Sequence, residues 1–157
     1  MGSERLATQS RNKFGVEMSL TQADEYKATF FKTYRGLAKW QEEAKYRRYD
    51  EYTRTLGGRL IYVADKGFTQ RLNSPVQGTA ADILKLALAE LVKQLADKDV
   101  HIISTVHDEI VVECAEVQVE DVKTLMEEVM IEASTKLLKK VPMEVDISVG
   151  PNLASKG

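Results

Sequence analysis

The chain has 157 residues, of which 43% are hydrophobic and 29% charged, an ordinary globular composition that fits one domain or part of a larger one and can bury a core. No apolar run approaches the roughly 20 residues of a membrane helix, the polar N-terminus carries no secretory signal, and Cys114 is the single cysteine, so an internal disulfide and a four-cysteine metal site are excluded and a reducing cytoplasm is expected. The net charge of −2 hides an asymmetry: residues 1–75 hold 14 Lys and Arg against 9 Asp and Glu (+5), residues 76–157 hold 8 against 15 (−7), and no arginine follows Arg71.

A basic half can meet phosphate and an acidic half can hold metal ions, although two solvated faces would have the same composition. Glu4 to Phe14 reads as a short helix ended by Gly15. Ser19 caps a second helix, with Gln22 completing a capping box; it runs to about Tyr34, and Tyr26, Phe30 and Tyr34 recur on one face. After Gly36 a third helix is expected from about Leu37 to Tyr52. It mixes Trp40, Tyr46, Tyr49 and Tyr52 with Lys39, Lys45, Arg47 and Arg48, a combination that can bind nucleic acid by stacking and charge. Glu42, Glu43, Asp50 and Glu51 are interleaved, so an amphipathic structural helix is an equal reading.

Gly57-Gly58 between Thr53–Leu56 and Arg59–Val63 predicts a hairpin, and Asp65-Lys66-Gly67 a loop. In the next helix Ser74 suits the N-cap, Pro75 the first helical position and Gln77 the capping-box position. Ala80, Leu84, Leu88, Leu91 and Leu95 form its apolar stripe, and it should end near Asp97-Lys98-Asp99. Val100–Val106 and Ile110–Val112 are rich in β-branched residues and predict a tight antiparallel hairpin. A helix follows from Gln118 to about Leu138, with Val122, Met126, Val129, Met130, Ala133 and Leu137 inward. Pro142 stops it, and Glu144–Val149 reads as a last short strand.

The tip of the second hairpin is anomalous. Such turns need positive φ and favour Asn-Gly pairs, yet here they hold His107 and Asp108, followed by Glu109. Local misfits of this kind are where function is expected. A carboxylate on a rigid strand end is a good ligand for a hard cation: Mg²⁺ takes oxygen ligands at about 2.0–2.1 Å and typically uses one or two carboxylates plus substrate phosphates. Two such ions about 3.5–4 Å apart can clamp the attacking and leaving oxygens of phosphoryl transfer. One Asp cannot hold two ions, so a second carboxylate must come from elsewhere. The plainer alternative is that Asp108 simply favours the turn.

The segment Asn73-Ser74-Pro75-Val76-Gln77-Gly78-Thr79-Ala80-Ala81-Asp82-Ile83-Leu84-Lys85 resembles the signature helix of DNA polymerase I-like, A-family polymerases. Val106-His107-Asp108-Glu109 resembles their motif C at the right distance downstream. Thr55-Leu56-Gly57-Gly58-Arg59 resembles the hairpin before that helix, and Val141-Pro142-Met143 through Gly150 the closing strand, so the likeness covers nearly the whole chain. It implies an α+β fold, with a small antiparallel sheet around the motif C hairpin and helices packed on it. Residues 1–54 would be a helical fingers-like segment and 55–157 a partial palm. It implies that Asp108 binds the catalytic Mg²⁺ ions, that Glu109 plays a lesser catalytic part, and that His107 lies beside the primer terminus. Gln77 and Asn73 would touch the primer–template duplex, where amide side chains suit the minor-groove acceptors shared by all base pairs. Arg71 would contact a phosphate, although the family's arginine here does not align cleanly.

The family's second metal-binding aspartate, in motif A, has no counterpart, nor has its nucleotide-binding helix. Its Tyr-Gly-Met-Gly step survives as Met1-Gly2, and Leu153 stands where Trp is common. The expectation is therefore a C-terminal fragment or split half of a template-directed DNA polymerase from a bacterial or phage-infected cell. Its partners would be primer–template DNA, a deoxynucleoside triphosphate and a part carrying motif A, with no membrane. The alternatives are a non-catalytic DNA-binding module and a vestigial remnant.

Overall fold

The computed structural model describes residues 2–153; Met1, and with it part of the expected Met1-Gly2 step, lies outside them. Helices and two small sheets give the expected α+β class. The chain divides into two compact units. One takes in residues up to Thr53 together with Tyr62–Asn73; the other takes in Arg54–Ile61 and the chain from Ser74 on. Among the described residues no helix is long and apolar enough to cross a membrane.

In the first unit, α1 (Ser3–Phe14) ends at Gly15, whose φ of 65° turns the chain while its N–H bonds the Arg11 carbonyl. α2 (Leu20–Thr33) starts at the predicted capping box: Gln22 N–H donates to Ser19 Oγ at 3.2 Å and Ser19 N–H to Gln22 Oε1 at 2.9 Å. Small buried residues, Ala7 and Ala23, let α1 and α2 approach, and Ser3 hydrogen-bonds Asp24 across them. Tyr26, Phe30 and Tyr34 do share a face of α2, with Phe30 and Tyr34 rings 4.8 Å apart, but that face is exposed. α3 (Arg35–Tyr46) stops six residues short of the expected Tyr52. Residues 47–49 form a turn, and Glu51 and Tyr52 are drawn into extended pairing: the Val63 N–H donates to the Glu51 carbonyl at 2.7 Å, and the Tyr52 and Tyr62 rings meet edge to face at 5.5 Å.

The first hairpin forms as predicted but shorter, with β1 (Tyr52–Arg54) beside β2 (Leu60–Tyr62). The long helix α4 (Phe68–Gln94) overturns the expected start at Ser74. Gly67, not Ser74, opens it: Gln70 Oε1 accepts the Gly67 N–H at 3.2 Å, and the Arg71 N–H bonds the Gly67 carbonyl. Pro75 therefore lies inside the helix, where it withholds one backbone donor, and Gln77 has no capping-box role. The buried stripe also differs by one residue from the expected Ala80, Leu84 and Leu88. Thr79, Ile83, Ala87, Leu91 and Leu95 are buried, whereas Ala80 is exposed. The rotation follows from Thr79, whose hydroxyl takes an inward place because the Leu56 N–H donates to it.

The second unit has one apolar core. Ile83, Ala87, Leu91 and Leu95 of α4 meet Val100 and the Val122, Met126, Val129 and Ala133 face of α5 (Val119–Leu137). Leu91 is fully buried at its centre; truncating such a leucine to alanine costs about 2–5 kcal/mol. β3 (Val100–Val106) and β4 (Glu109–Cys114) lie on this core through Val100, Ile102, Ile110, Val112 and Cys114. Their antiparallel register runs from Val100 opposite Cys114 to Val106 opposite Glu109. It is broken by a bulge in which Ile103 is the extra residue between Ile102 and Ser104. A 3-10 turn (Glu116–Gln118) leads into α5. The expected strand at Glu144–Val149 does not form among the described residues. Met143 and Ile147 rest on the core from a segment that pairs with no strand among the described residues.

Candidate active site at the second hairpin

The β3–β4 turn has only two residues, His107 and Asp108. His107 has a φ of 56° and is the only non-glycine residue with positive φ among those described. Positive φ in a two-residue hairpin turn is usually supplied by glycine, asparagine or aspartate. Left-handed backbone costs an L-residue roughly 1–2 kcal/mol, although histidine visits it more often than most. The fold tolerates this because ladder pairs on both strands fix the turn length. The result is an exposed Asp108 carboxylate at the end of a paired ribbon, with exposed Glu109 as the first residue of β4. The bulge in the same hairpin is the kind of irregularity that recurs beside functional sites.

Three of the sequence-predicted residues, His107, Asp108 and Glu109, are thus brought together at one tip. Asn73 and Gln77 are four residues apart on α4, flanking Pro75, and both are exposed. Arg71 is otherwise engaged. Its Nη1 donates to the Asp50 carbonyl at 2.7 Å, Nε to that of Lys66 at 3.1 Å and Nη2 to that of Ala64 at 3.3 Å. It fastens the loop after β2 and the turn after α3 to the start of α4. The described residues hold no group of three or more His, Cys, Asp or Glu side chains able to enclose a metal ion.

A second polar constellation lies behind Gln77, and the sequence reading missed its roles. Thr55, buried at the first hairpin turn, accepts the Arg59 N–H on Oγ1 at 3.1 Å. Arg59 Nε donates to Asp82 Oδ1 at 2.7 Å, and Nη2 to the Gly78 carbonyl at 3.0 Å. The Asp82 side chain is 14% exposed. The Thr55 hydroxyl, then the Arg59 guanidinium and the more distant Lys85, hold its carboxyl below the usual carboxylate range against the opposing effect of burial. Thr55 acts there without a well-formed hydrogen bond, since Asp82 Oδ2 has no partner of good geometry. A visible signal existed: Asp82 is the only acid in the first 22 residues of α4, and Arg59 follows a Gly-Gly turn.

The sequence pattern of DNA polymerase family A matches residues 1–155. The chain is 35% identical over 150 residues to DNA polymerase I of Aquifex aeolicus, covering 93% of this chain and 26% of that protein. It is 32% identical over 163 residues to DNA polymerase I of Deinococcus radiodurans, covering 97% and 16%. Among solved structures, it resembles the POL domain of Pol1 from M. smegmatis in complex with DNA primer-template and dNTP, with a TM-score of 0.69 and 26% identity over 84% of this chain and 24% of that one. The chain thus spans about a quarter or less of the relatives it matches.

Proposed function

Because the chain belongs to DNA polymerase family A, we propose that it supplies part of the palm of a template-directed nucleotidyl transferase, with residues 1–54 on the fingers side and 55–157 in the palm. The reaction is attack of a primer 3′-hydroxyl oxygen on the α-phosphorus of a deoxynucleoside triphosphate, with pyrophosphate leaving. Asp108 is the residue that would ligate Mg²⁺. An exposed carboxylate at a rigid turn fits an ion that uses one or two carboxylates and completes its shell with phosphates and water. When bound, magnesium neutralises charge on the phosphates that react. With no three-ligand group among the described residues, a further carboxylate has to come from another segment, in the family the one carrying motif A.

The remaining roles fall to this chain's own side chains. His107 borders the primer end beside Asp108, and Glu109 adds negative charge at the tip. Gln77 and Asn73 present amide donors to minor-groove acceptors. Arg71 serves structure first, with its remaining donors available to phosphate. The observation that carries this reading is the two-residue turn with its positive φ at His107 and its exposed Asp108. Nothing in the geometry favours a purely DNA-binding module.

Primer extension tests it. The chain mixed with a purified fragment bearing motif A should extend a primer in Mg²⁺, and Asp108→Asn should abolish that activity. Extension by the chain alone would remove the need for another segment. Full activity in Asp108→Asn would remove the assignment of the metal ligand.

A further inference from the structure

The turn of α4 that carries Gln77 is held from outside the helix. Pro75 gives no N–H to the turn before it, so this stretch has one internal bond fewer. Three bonds from the first hairpin turn, and one within the helix, converge around it. The Leu56 N–H donates to Thr79 Oγ1 at 3.0 Å, and that hydroxyl donates to the Pro75 carbonyl at 2.7 Å. Arg59 donates to the Gly78 carbonyl at 3.0 Å and to Asp82 Oδ1 at 2.7 Å. The approach is possible only because residue 78 lacks a side chain: a Cβ there would lie 2.5 Å from Ile61 Cδ1 and 2.7 Å from Thr55 Cγ2. The anchored residues, 75, 78, 79 and 82, flank Gln77 on both sides, and Gln77 itself faces solvent. A long amide side chain can report on a partner only if its backbone is fixed to within about 0.5 Å.

We propose that Arg59 and Thr79 are positioning residues that lock the Pro75–Thr79 turn, so that the Gln77 amide meets the minor groove of a duplex at a fixed depth. This rests on the reading of Gln77 given above. Neither residue touches DNA in this scheme; both act through the backbone of α4.

The test uses the full chain and a recessed-primer duplex in two versions, one with normal purines and one with 3-deazapurines, which lack the minor-groove N3 acceptor. The wild type should bind the normal duplex about 3- to 10-fold more tightly, the value of one hydrogen bond. Gln77→Ala should bind both alike, and so should Arg59→Ala and Thr79→Val, whereas Thr79→Ser, which keeps the hydroxyl, should retain the preference. Amide exchange on the same proteins separates the lock from the DNA role. Protection at residues 77–81 should fall on the order of tenfold in Arg59→Ala and Thr79→Val, while residues 87–91 keep theirs. A wild type indifferent to the deaza duplex overturns the reading of Gln77 and this proposal together. A preference preserved in both variants, or exchange at 77–81 unchanged in both, overturns this proposal alone.

Discussion

Gly78→Ala sets two opposing effects against each other. In a helix interior alanine is favoured over glycine by about 1 kcal/mol, so without tertiary contacts the variant should be more stable. The contacts reverse the sign. The new methyl would sit 2.5 Å from Ile61 Cδ1 and 2.7 Å from Thr55 Cγ2, both well inside van der Waals contact. Ile61 Cδ1 ends a flexible side chain and can swing aside. Thr55 cannot: it is β-branched, buried, and its hydroxyl is fixed by the Arg59 N–H. Overpacking of this kind costs about 1–3 kcal/mol, leaving a net loss of about 1 kcal/mol after the helical gain. In urea denaturation this lowers the midpoint at constant slope, and in a thermal melt it lowers Tm by roughly 2–4 °C. Adding Thr55→Ser removes Cγ2 and keeps the hydroxyl, so the double variant should recover at least about 0.5 kcal/mol beyond additivity. A Gly78→Ala protein as stable as the wild type, or more so, would show that the hairpin turn does not press on α4 there.

Other perturbations separate structure from chemistry. Because the Asp82 carboxyl is held below its ordinary value of 3.8 in the fold, it adds stability that is fully present above that value and is lost as pH falls through the lower folded value. The stability gap between wild type and Asp82→Asn should thus be flat from neutral pH to about pH 4 and close on further acidification; a gap that grows towards acid would reverse the assignment. Arg71→Ala breaks three charge-assisted bonds to carbonyls and should cost about 2 kcal/mol in denaturant melts, and the salt slope of DNA binding should fall by about one unit as the remaining donors lose their phosphate; an unchanged slope would leave Arg71 a structural role alone. His107→Gly relieves the left-handed backbone and should be as stable as wild type or up to about 1 kcal/mol more so, yet slower in primer extension with the complementary fragment. A loss of stability above about 1 kcal/mol would mean that the imidazole is needed for the turn itself.

Much of the site could be read from residue order alone because it is local. A two-residue turn between β-branched runs leaves Asp108 nowhere to go but the tip, and the acid in place of glycine marks the spot. The helix start was less legible. Ser74-Pro75 matches an N-terminus by local chemistry, and the Gly67–Gln70 bond and the anchoring of Arg71 to distant carbonyls carry α4 seven residues further back. The inward stripe was misread by one residue for a similar reason. Threonine reads as polar, and its burial at position 79 depends on an N–H from Leu56, 23 residues away. The Arg59–Asp82 pair has the same 23-residue separation, so no periodicity reveals it. At the C-terminal end, a strand was expected at Glu144–Val149, but pairing needs a neighbour that the local sequence cannot show, and none pairs with it among the described residues.

The extra residue at Ile103 has a consequence for how the hairpin can change. Before it, Val100 and Ile102 pair with Cys114 and Val112 on the core side; after it, Thr105 is the residue opposite core-facing Ile110. Side-chain parity on β3 therefore switches halfway along, from even-numbered to odd-numbered residues on the core side. Deleting Ile103 would leave Ile102, Ser104 and Thr105 opposite Val112, Val111 and Ile110 as they are now, in unbroken alternation, so the extra residue adds local twist and bend without deciding which side chains face the core. Loss of this one codon should therefore straighten the ribbon and re-aim its tip without turning either end of the strand over.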